Sequence, residues 1–225
     1  MNIGFFHIQA GESSDEGYAC AKLLVASVRR CLPSAQIVHF TDLTSPGVKG
    51  VDAVRRKPSE PMALLRMRHH AGVDGEWLFV DTDVIVQRSA VRKVFDDEDF
   101  DIAITDRTWP HLRAAVGFTE AMPFNTGVMF SRCPRFWGDV YCRLRHLEPA
   151  QQQWMGDQEV ICEIVTEESP RYRVRHLRGH KYNFPPSIPN DVPNGKTLQE
   201  DAYIVHYKGP KRKPLMMARR AEFKV

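Results

Sequence analysis

Two aspartates follow directly on an apolar run in the segment 77–83, whose sequence is WLFVDTD. Four bulky apolar residues in a row predict a strand buried on both faces, as in a parallel sheet covered by helices. Open α/β sheets bind ligands beyond the carboxyl ends of their strands, which is where Asp81 and Asp83 should emerge. Two carboxylates placed there repel each other and lose hydration unless a cation lies between them. The pattern therefore favours Mg²⁺ or Mn²⁺, bound together with a nucleoside diphosphate.

The Asp-x-Asp pattern is short, and the sequence contains it at 81/83, 97/99 and 99/101. The second and third copies lie in the acidic run 96–101, which predicts a solvated loop. The first copy follows the apolar run and precedes the further apolar residues 84–86. A strand-end turn without a metal is the alternative interpretation of Asp81 and Asp83.

Strand and helix patterns alternate over the first 90 residues. The apolar spacing predicts strands over 2–8, 36–40, 77–80, 101–106, 127–130, 172–177 and 202–207, and helices over 20–31, 61–71, 134–147 and 157–166. Residues 183–195, which are rich in proline, predict an irregular wall or lid near the site. The alternation predicts a single α/β domain with a mostly parallel central sheet flanked by helices.

The composition is that of a soluble globular protein. The 225 residues are 43% hydrophobic and 26% charged, enough for one domain with a substantial core. No apolar run approaches the roughly 20 residues that cross a bilayer, and residues 1–6 predict a first strand rather than a signal peptide. Cysteines 20, 31, 142 and 162 lie in apolar-periodic segments, and the fifth is Cys133. This pattern favours reduced core thiols in a cytoplasmic protein over a disulfide or zinc framework.

Basic residues are concentrated near the C-terminus. The net charge is only +3, but seven lysines and arginines occur between Lys208 and Lys224, with Glu222 as the single acid. Such a segment can contact phosphates, a nucleic acid, an anionic membrane surface or only solvent.

Four short motifs between residues 60 and 214 occur in an order that resembles the GT-A glycosyltransferases, in particular their retaining family eight. They are Asp81–Asp83 (DTD), Phe124–Phe130 (FNTGVMF), Gly156–Glu159 (GDQE) and His206–Pro214 (HYKGPKRKP). The chain departs from the family pattern by an extra residue between Gly209 and the Lys-Pro pair, and no tryptophan follows Pro214. At the first turn, HIQAG over residues 7–11 replaces the usual small polar run.

The resemblance implies a role for each motif. Asp81, Asp83 and His206 would bind the metal, and Asp157 and Gln158 would act at the reaction centre. The donor would be held by Arg66, Asp106, Asn125, Gly209 and either Lys211 or Lys213, with His7 and Gln9 near the base. Five of these residues also have a structural alternative: a turn or cap for Asn125, Asp157 and Gln158, a packing role for His206, and an exposed ion pair for Arg66. Histidines 69, 70, 111 and 146 are interpreted as surface or packing residues.

The resemblance implies a hexosyltransferase that uses Mn²⁺ or Mg²⁺ and a nucleoside diphosphate sugar, expected to be a UDP-sugar, with retention of anomeric configuration. Residues 1–214 would form the catalytic domain and 215–225 a basic tail. The acceptor would be a saccharide, a glycolipid or a nucleic acid, and the protein would be cytoplasmic, with peripheral contact to an anionic membrane surface. One alternative is a sugar nucleotidyltransferase, although GESS at 11–14 is not its glycine-rich loop. The other is a non-catalytic nucleic-acid-binding protein, which leaves the motifs unexplained.

Overall fold

A computed structural model describes residues 1–9, 14–97, 99–107, 123–153, 155–167, 171–186 and 201–223. The strands are β1 (Asn2–Phe6), β2 (Gln36–Asp42), β3 (Ala53–Lys57), β4 (Trp77–Val80), β5 (Val84–Val86), β6 (Ile102–Asp106), β7 (Phe124–Ser131), β8 (Val174–Leu177) and β9 (Ile204–His206). The helices are α1 (Ser14–Cys31), α2 (Met62–His70), α3 (Val94–Asp97), α4 (Pro134–Leu144), α5 (Pro149–Gln153), α6 (Gly156–Val165), α7 (Gly179–Tyr182), α8 (Lys213–Met217) and α9 (Arg220–Phe223), with a 3-10 helix at Ser89–Lys93.

The central sheet has seven strands in the order β3-β2-β1-β4-β7-β6-β8. Strand β7 is antiparallel to both of its neighbours, β4 and β6, whereas the other four pairs are parallel. A second sheet joins β5 to β9 in antiparallel orientation. The predicted α/β architecture with a mostly parallel sheet is therefore confirmed. Because β7 runs against its neighbours, its first residues lie at the same edge as the carboxyl ends of β1, β4 and β6.

Strand β4 is buried on both faces, as its continuous apolar sequence predicts. Leu78 and Val80 pack with α1 in one core, while Trp77 and Phe79 pack with α2, α4 and α6 in another. Alternate side chains of a strand point to opposite faces, so a strand between two helical layers needs apolar residues at every position. This double core fixes the end of β4 and thereby the position of Asp81.

The structure corrects several sequence-based boundaries. Strand β3 was not predicted because it is an edge strand whose three central residues are exposed. Strand β7 begins at Phe124, so Asn125 lies within a strand and not in a turn before it. The five cysteines are free, as expected, but Cys142 is exposed and the prediction that it is a core thiol was wrong. Residues 187–195 of the proposed wall lie outside the described residues.

The described part of the basic C-terminal segment packs against α1. Met216 is fully buried in a small core that also contains Cys20 and Leu23 of α1. Arg219 pairs with Glu222 and donates hydrogen bonds to Gln87 and to the hydroxyl of Tyr207. Much of this segment therefore contributes to the fold. None of the helices that the structure describes has both the length and the apolar character needed to cross a bilayer.

Candidate active site

Asp81, Asp83 and His206 converge at the carboxyl end of β4. The pairing of β5 with β9 aligns Val84 with His206, and the amide of Tyr207 donates to the carbonyl of Asp83 over 2.8 Å. The Nε2 atom of His206 lies 3.1 Å from Asp83 Oδ1 and 3.6 Å from Asp81 Oδ2. One ligand atom from each side chain lies within 4.8 Å of the other two. The structure thus brings together the three residues expected to bind a metal.

A hydrogen-bond chain orients the imidazole of His206. Its Nδ1 lies 2.8 Å from Asn183 Oδ1, and the amide nitrogen of Asn183 donates to Asn125 Oδ1 and to Thr105 Oγ1, each over 2.7 Å. Because Asn183 presents its oxygen, Nδ1 must carry the hydrogen, and the Nε2 lone pair then faces the two carboxylates. Three electron-rich atoms facing one another require a proton or a cation between them. Two carboxylates and one imidazole fit a divalent metal.

The charges around Asp83 keep it ionised. Burial alone would raise the pKa of Asp83. When a proton on His206 Nε2 takes the place of a cation, the charge and hydrogen bond of the imidazolium, together with the charge of Lys213, lower this pKa below its ordinary value. A carboxylate that stays ionised while buried is suited to binding a cation.

Gly127 provides the space in which the three ligands meet. A Cβ atom at this position would lie 2.2 Å from Cε1 of His206 and 2.8 Å from Oδ2 of Asp81. Its carbonyl accepts a hydrogen bond from the Asp81 amide over 2.9 Å. Any other residue would push the imidazole and the carboxylate apart. This steric requirement accounts for the glycine in the predicted Asn-x-Gly motif.

Arg66 of α2 connects the metal ligands to the start of α6. Its guanidinium lies 3.1 Å from Asp81 Oδ1 and also forms an ion pair with Asp157. Helix α6 follows Met155, which has a φ of 69°, and Gly156 packs directly against the carbonyl of Gln151. This tight entry buries the side chains of residues 157 and 158, which are 4% and 5% exposed.

The positive side of the site includes a residue that the sequence did not reveal. Lys208 is half-buried, and its pKa is lowered to about 8, chiefly by burial and then by the charges of Arg107 and Arg212. The two expected lysines differ, because Lys211 is exposed whereas Lys213 is partly buried and lies 3.4 Å from Glu16 of α1. The sequence did not single out Lys208, because several other basic residues follow it and its spacing does not distinguish it from them.

Gly209 has a φ of +80°, a conformation that favours glycine, and it turns the chain between these lysines. Its place in the motif therefore has a backbone reason. A role at the phosphates stays a prediction.

Three other predicted donor residues lie at the same edge of the sheet. Asp106, at the end of β6, has its carboxylate 3.0 Å from His176 Nδ1. His7 is buried, and burial lowers its pKa. The backbone N–H of Gln9 donates to Ser45 Oγ over 2.8 Å. Their contacts with a donor stay predictions, and residues 10–13 of the adjacent turn lie outside the described residues.

The remaining histidines agree with the packing interpretation where they are described. His69 and His70 are buried among aromatic side chains, and His146 is exposed. His111 lies outside the described residues.

Solved structures of glycosyltransferases have the same fold as this chain. The galactosyltransferase LgtC, solved with donor and acceptor sugar analogues, is 14% identical with a TM-score of 0.59, over 93% of this chain and 88% of that one. A glycosyltransferase involved in glycosylation of the major capsid of PBCV-1 is 16% identical with a TM-score of 0.58, over 96% and 100%. Mouse xyloside xylosyltransferase 1 is 14% identical with a TM-score of 0.57, over 94% and 99%.

The fold of this chain is therefore that of the GT-A glycosyltransferases, as the order of the motifs predicted. No family model matches the sequence, and no curated relative matches it.

Asn183 offers a first test of this site. Asn183→Ala removes the acceptor that fixes the tautomer of His206, so we expect the affinity for Mn²⁺ to fall roughly 10- to 100-fold. Isothermal titration of Mn²⁺ measures this change. Asn2→Ala is the control, because it removes a side-chain amide at the start of β1, at the opposite end of the strands from the site. Unchanged Mn²⁺ affinity in Asn183→Ala would show that the hydrogen bond between Asn183 and His206 does not help His206 to bind a metal.

Proposed function

We propose that this protein is a metal-dependent glycosyltransferase that moves a hexose from a UDP-sugar to an acceptor hydroxyl, with retention of configuration. The observation that carries the proposal is the convergence of Asp81, Asp83 and His206 beside the buried pair Asp157 and Gln158. A metal site next to polar groups that can hold a sugar is the arrangement that this reaction needs. The solved structures of the same fold, which are glycosyltransferases, favour it over nucleotidyl transfer or nucleic-acid binding.

The chain's cations would stabilise the departing diphosphate. Asp81, Asp83 and His206 would hold Mn²⁺ or Mg²⁺, which supplies positive charge to the leaving group when bound. Lys208 and Lys213 each interact electrostatically with Asp83 and would share the remaining negative charge of the diphosphate. Preorganised charge aimed at the leaving group acts where charge develops during transfer.

The sugar side of the site favours attack from the front face. Asp157 is buried and paired with Arg66, so its carboxylate is held by a cation rather than poised as a nucleophile. Gln158 has a neutral amide side chain, which would lie beside the anomeric carbon of the donor sugar. With these partners the acceptor oxygen would approach on the face from which the diphosphate departs, which retains the configuration. Arg66 would also contact the donor, with Asn125 and Asp106 at the sugar.

We propose a saccharide or a glycolipid as the acceptor. A glycolipid acceptor would bring the protein to an anionic membrane surface, where basic residues such as Arg220 are exposed. A nucleic acid is the alternative acceptor, because it is also anionic and would also be attracted by these basic residues.

An assay of UDP release tests the proposal. The protein is incubated with several UDP-sugars, first with Mn²⁺ and then with excess EDTA. We expect at least one UDP-sugar to be hydrolysed or transferred with Mn²⁺ and the rate to fall to background in EDTA. UDP release that is identical in EDTA, or absent for every sugar nucleotide, would contradict the proposal.

Single substitutions can decide whether Lys211 or Lys213 contacts the phosphates. Lys213→Met should weaken Mn²⁺-dependent UDP binding about 10-fold, which is about 1.4 kcal/mol, because Lys213 is partly buried and its charge reaches Asp83. Lys211→Met should have little effect, since an exposed charge is screened by solvent and salt. Calorimetric UDP titrations compare them directly. The opposite order of effects would assign the phosphate contact to Lys211.

A further inference from the structure

Arg107 holds the side chain of Gln158 from the end of β6. Its Nε donates to the carbonyl of Phe124 over 2.6 Å, and its Nη2 donates to Oε1 of Gln158 over 2.7 Å. Both bonds come from one planar guanidinium, so the position of the Gln158 oxygen is tied to the first residue of β7. Neither contact was predicted from the sequence.

The contact determines which end of the amide faces Arg107. A guanidinium has only donors, so the atom of Gln158 that it meets must be the carbonyl oxygen. The hydroxyl of Thr126 lies 3.5 Å from the same oxygen. The bond is assisted by the charge of the arginine and is therefore stronger than one between neutral groups. Because Gln158 is only 5% exposed, packing also restricts its rotation.

Arg107 is also connected to the proposed metal ligands through the start of α6. Gln158 follows Asp157, which forms an ion pair with Arg66, and the guanidinium of Arg66 lies 3.1 Å from Asp81 Oδ1. A displacement of Gln158 would therefore be felt beside the proposed metal site.

We propose that Arg107 is a positioning residue that fixes the amide of Gln158 so that this side chain serves the donor sugar through its NH₂ group. The inference rests on the proposed glycosyltransferase function and deepens it. With Oε1 held by Arg107, Gln158 donates a hydrogen bond to an oxygen of the sugar or of the leaving group. The amide oxygen does not attack the anomeric carbon.

A double-mutant cycle tests the positioning role. Arg107→Met should lower kcat for Mn²⁺-dependent UDP release roughly 10- to 100-fold with little change in KM for the UDP-sugar, and Arg107→Lys should recover part of the loss. In a Gln158→Ala background, Arg107→Met should cause no further loss, because residues that act as a unit are not additive. Arg55→Met, on the exposed edge strand β3, is the control.

Gln158→Glu provides an independent measurement that does not require removal of Arg107. The carboxylate keeps an oxygen for Arg107 but lacks the NH₂ group, so we expect this variant to lose as much kcat as Gln158→Ala. Retained activity in Gln158→Glu, or effects of Arg107→Met and Gln158→Ala that multiply, would overturn the positioning role while wild-type turnover still supports the proposed function. Absence of UDP-sugar turnover in the wild type would overturn the proposed function, and the positioning role with it.

Discussion

Asp83→Asn is expected to abolish metal-dependent transfer while leaving the protein folded. The substitution keeps the size of the side chain and the backbone carbonyl that accepts from Tyr207. It removes the charge of the carboxylate that lies 3.1 Å from His206 Nε2. Loss of a metal carboxylate should weaken the hold on the diphosphate by several kcal/mol, which corresponds to a fall in kcat/KM of at least about 100-fold. UDP release with Mn²⁺ and circular dichroism measure the two parts of this expectation.

Asp99→Asn is the matched control for the same chemical change. Asp99 also belongs to an Asp-x-Asp pattern, but its side chain is 76% exposed and pairs with Arg173 at the surface. Exposed ion pairs contribute little, so activity and stability should stay close to those of the wild type. Full activity of Asp83→Asn in metal-free buffer would refute the metal assignment.

Gly127→Ala is expected to have an effect of similar size for a steric reason. The added Cβ would lie 2.2 Å from His206 Cε1, 2.7 Å from His206 Nδ1 and 2.8 Å from Asp81 Oδ2. These atoms belong to two of the three proposed metal ligands, so relief of the overlap must displace them. We expect Mn²⁺-dependent UDP binding to fall at least about 100-fold, because ligand positions must be accurate to about 0.5 Å.

Gly138→Ala is the control for adding one methyl group. Among the residues that the structure describes, no atom outside its own helical turn lies within 4 Å of a Cβ at this position, which is inside α4. Alanine is favoured over glycine in a helix by roughly 0.5–1 kcal/mol, so this variant should be slightly more stable and fully able to bind. Gly127→Ala with wild-type affinity for both Mn²⁺ and UDP would contradict the geometry proposed for the site.

The sequence predicted those parts of the site that depend on local pattern. The apolar run before Asp81 indicated a strand buried on both faces, and the structure confirms it for Trp77–Val80. The motif order brought His206 to the same place, although more than 100 residues separate it from Asp83. The apolar run is a local pattern, and the order of the motifs can be read directly along the sequence. The edge strand β3 lacked such a signal, because its exposed residues give no apolar pattern.

The residues that support the site could not be predicted in the same way. Asn183, Arg107 and Lys208 are common polar types with no distinctive spacing, and their roles arise only from tertiary contacts. Asn183, for example, orients an imidazole 23 positions away along the chain. The C-terminal charges illustrate the opposite case. Their sequence left contacts with phosphates, a nucleic acid, a membrane surface or solvent open, whereas the structure shows that Arg219 and Met216 pack against the domain.

Calorimetric titration of UDP into the wild-type protein tests the central claim most directly. The titration is carried out with saturating Mn²⁺ and repeated with EDTA in place of the metal. If Asp81, Asp83 and His206 hold a cation for the diphosphate, UDP should bind with Mn²⁺ and at least about 100-fold more weakly in EDTA, a difference of about 2.7 kcal/mol. Equal affinity under the two conditions, or no binding in either, would contradict the account.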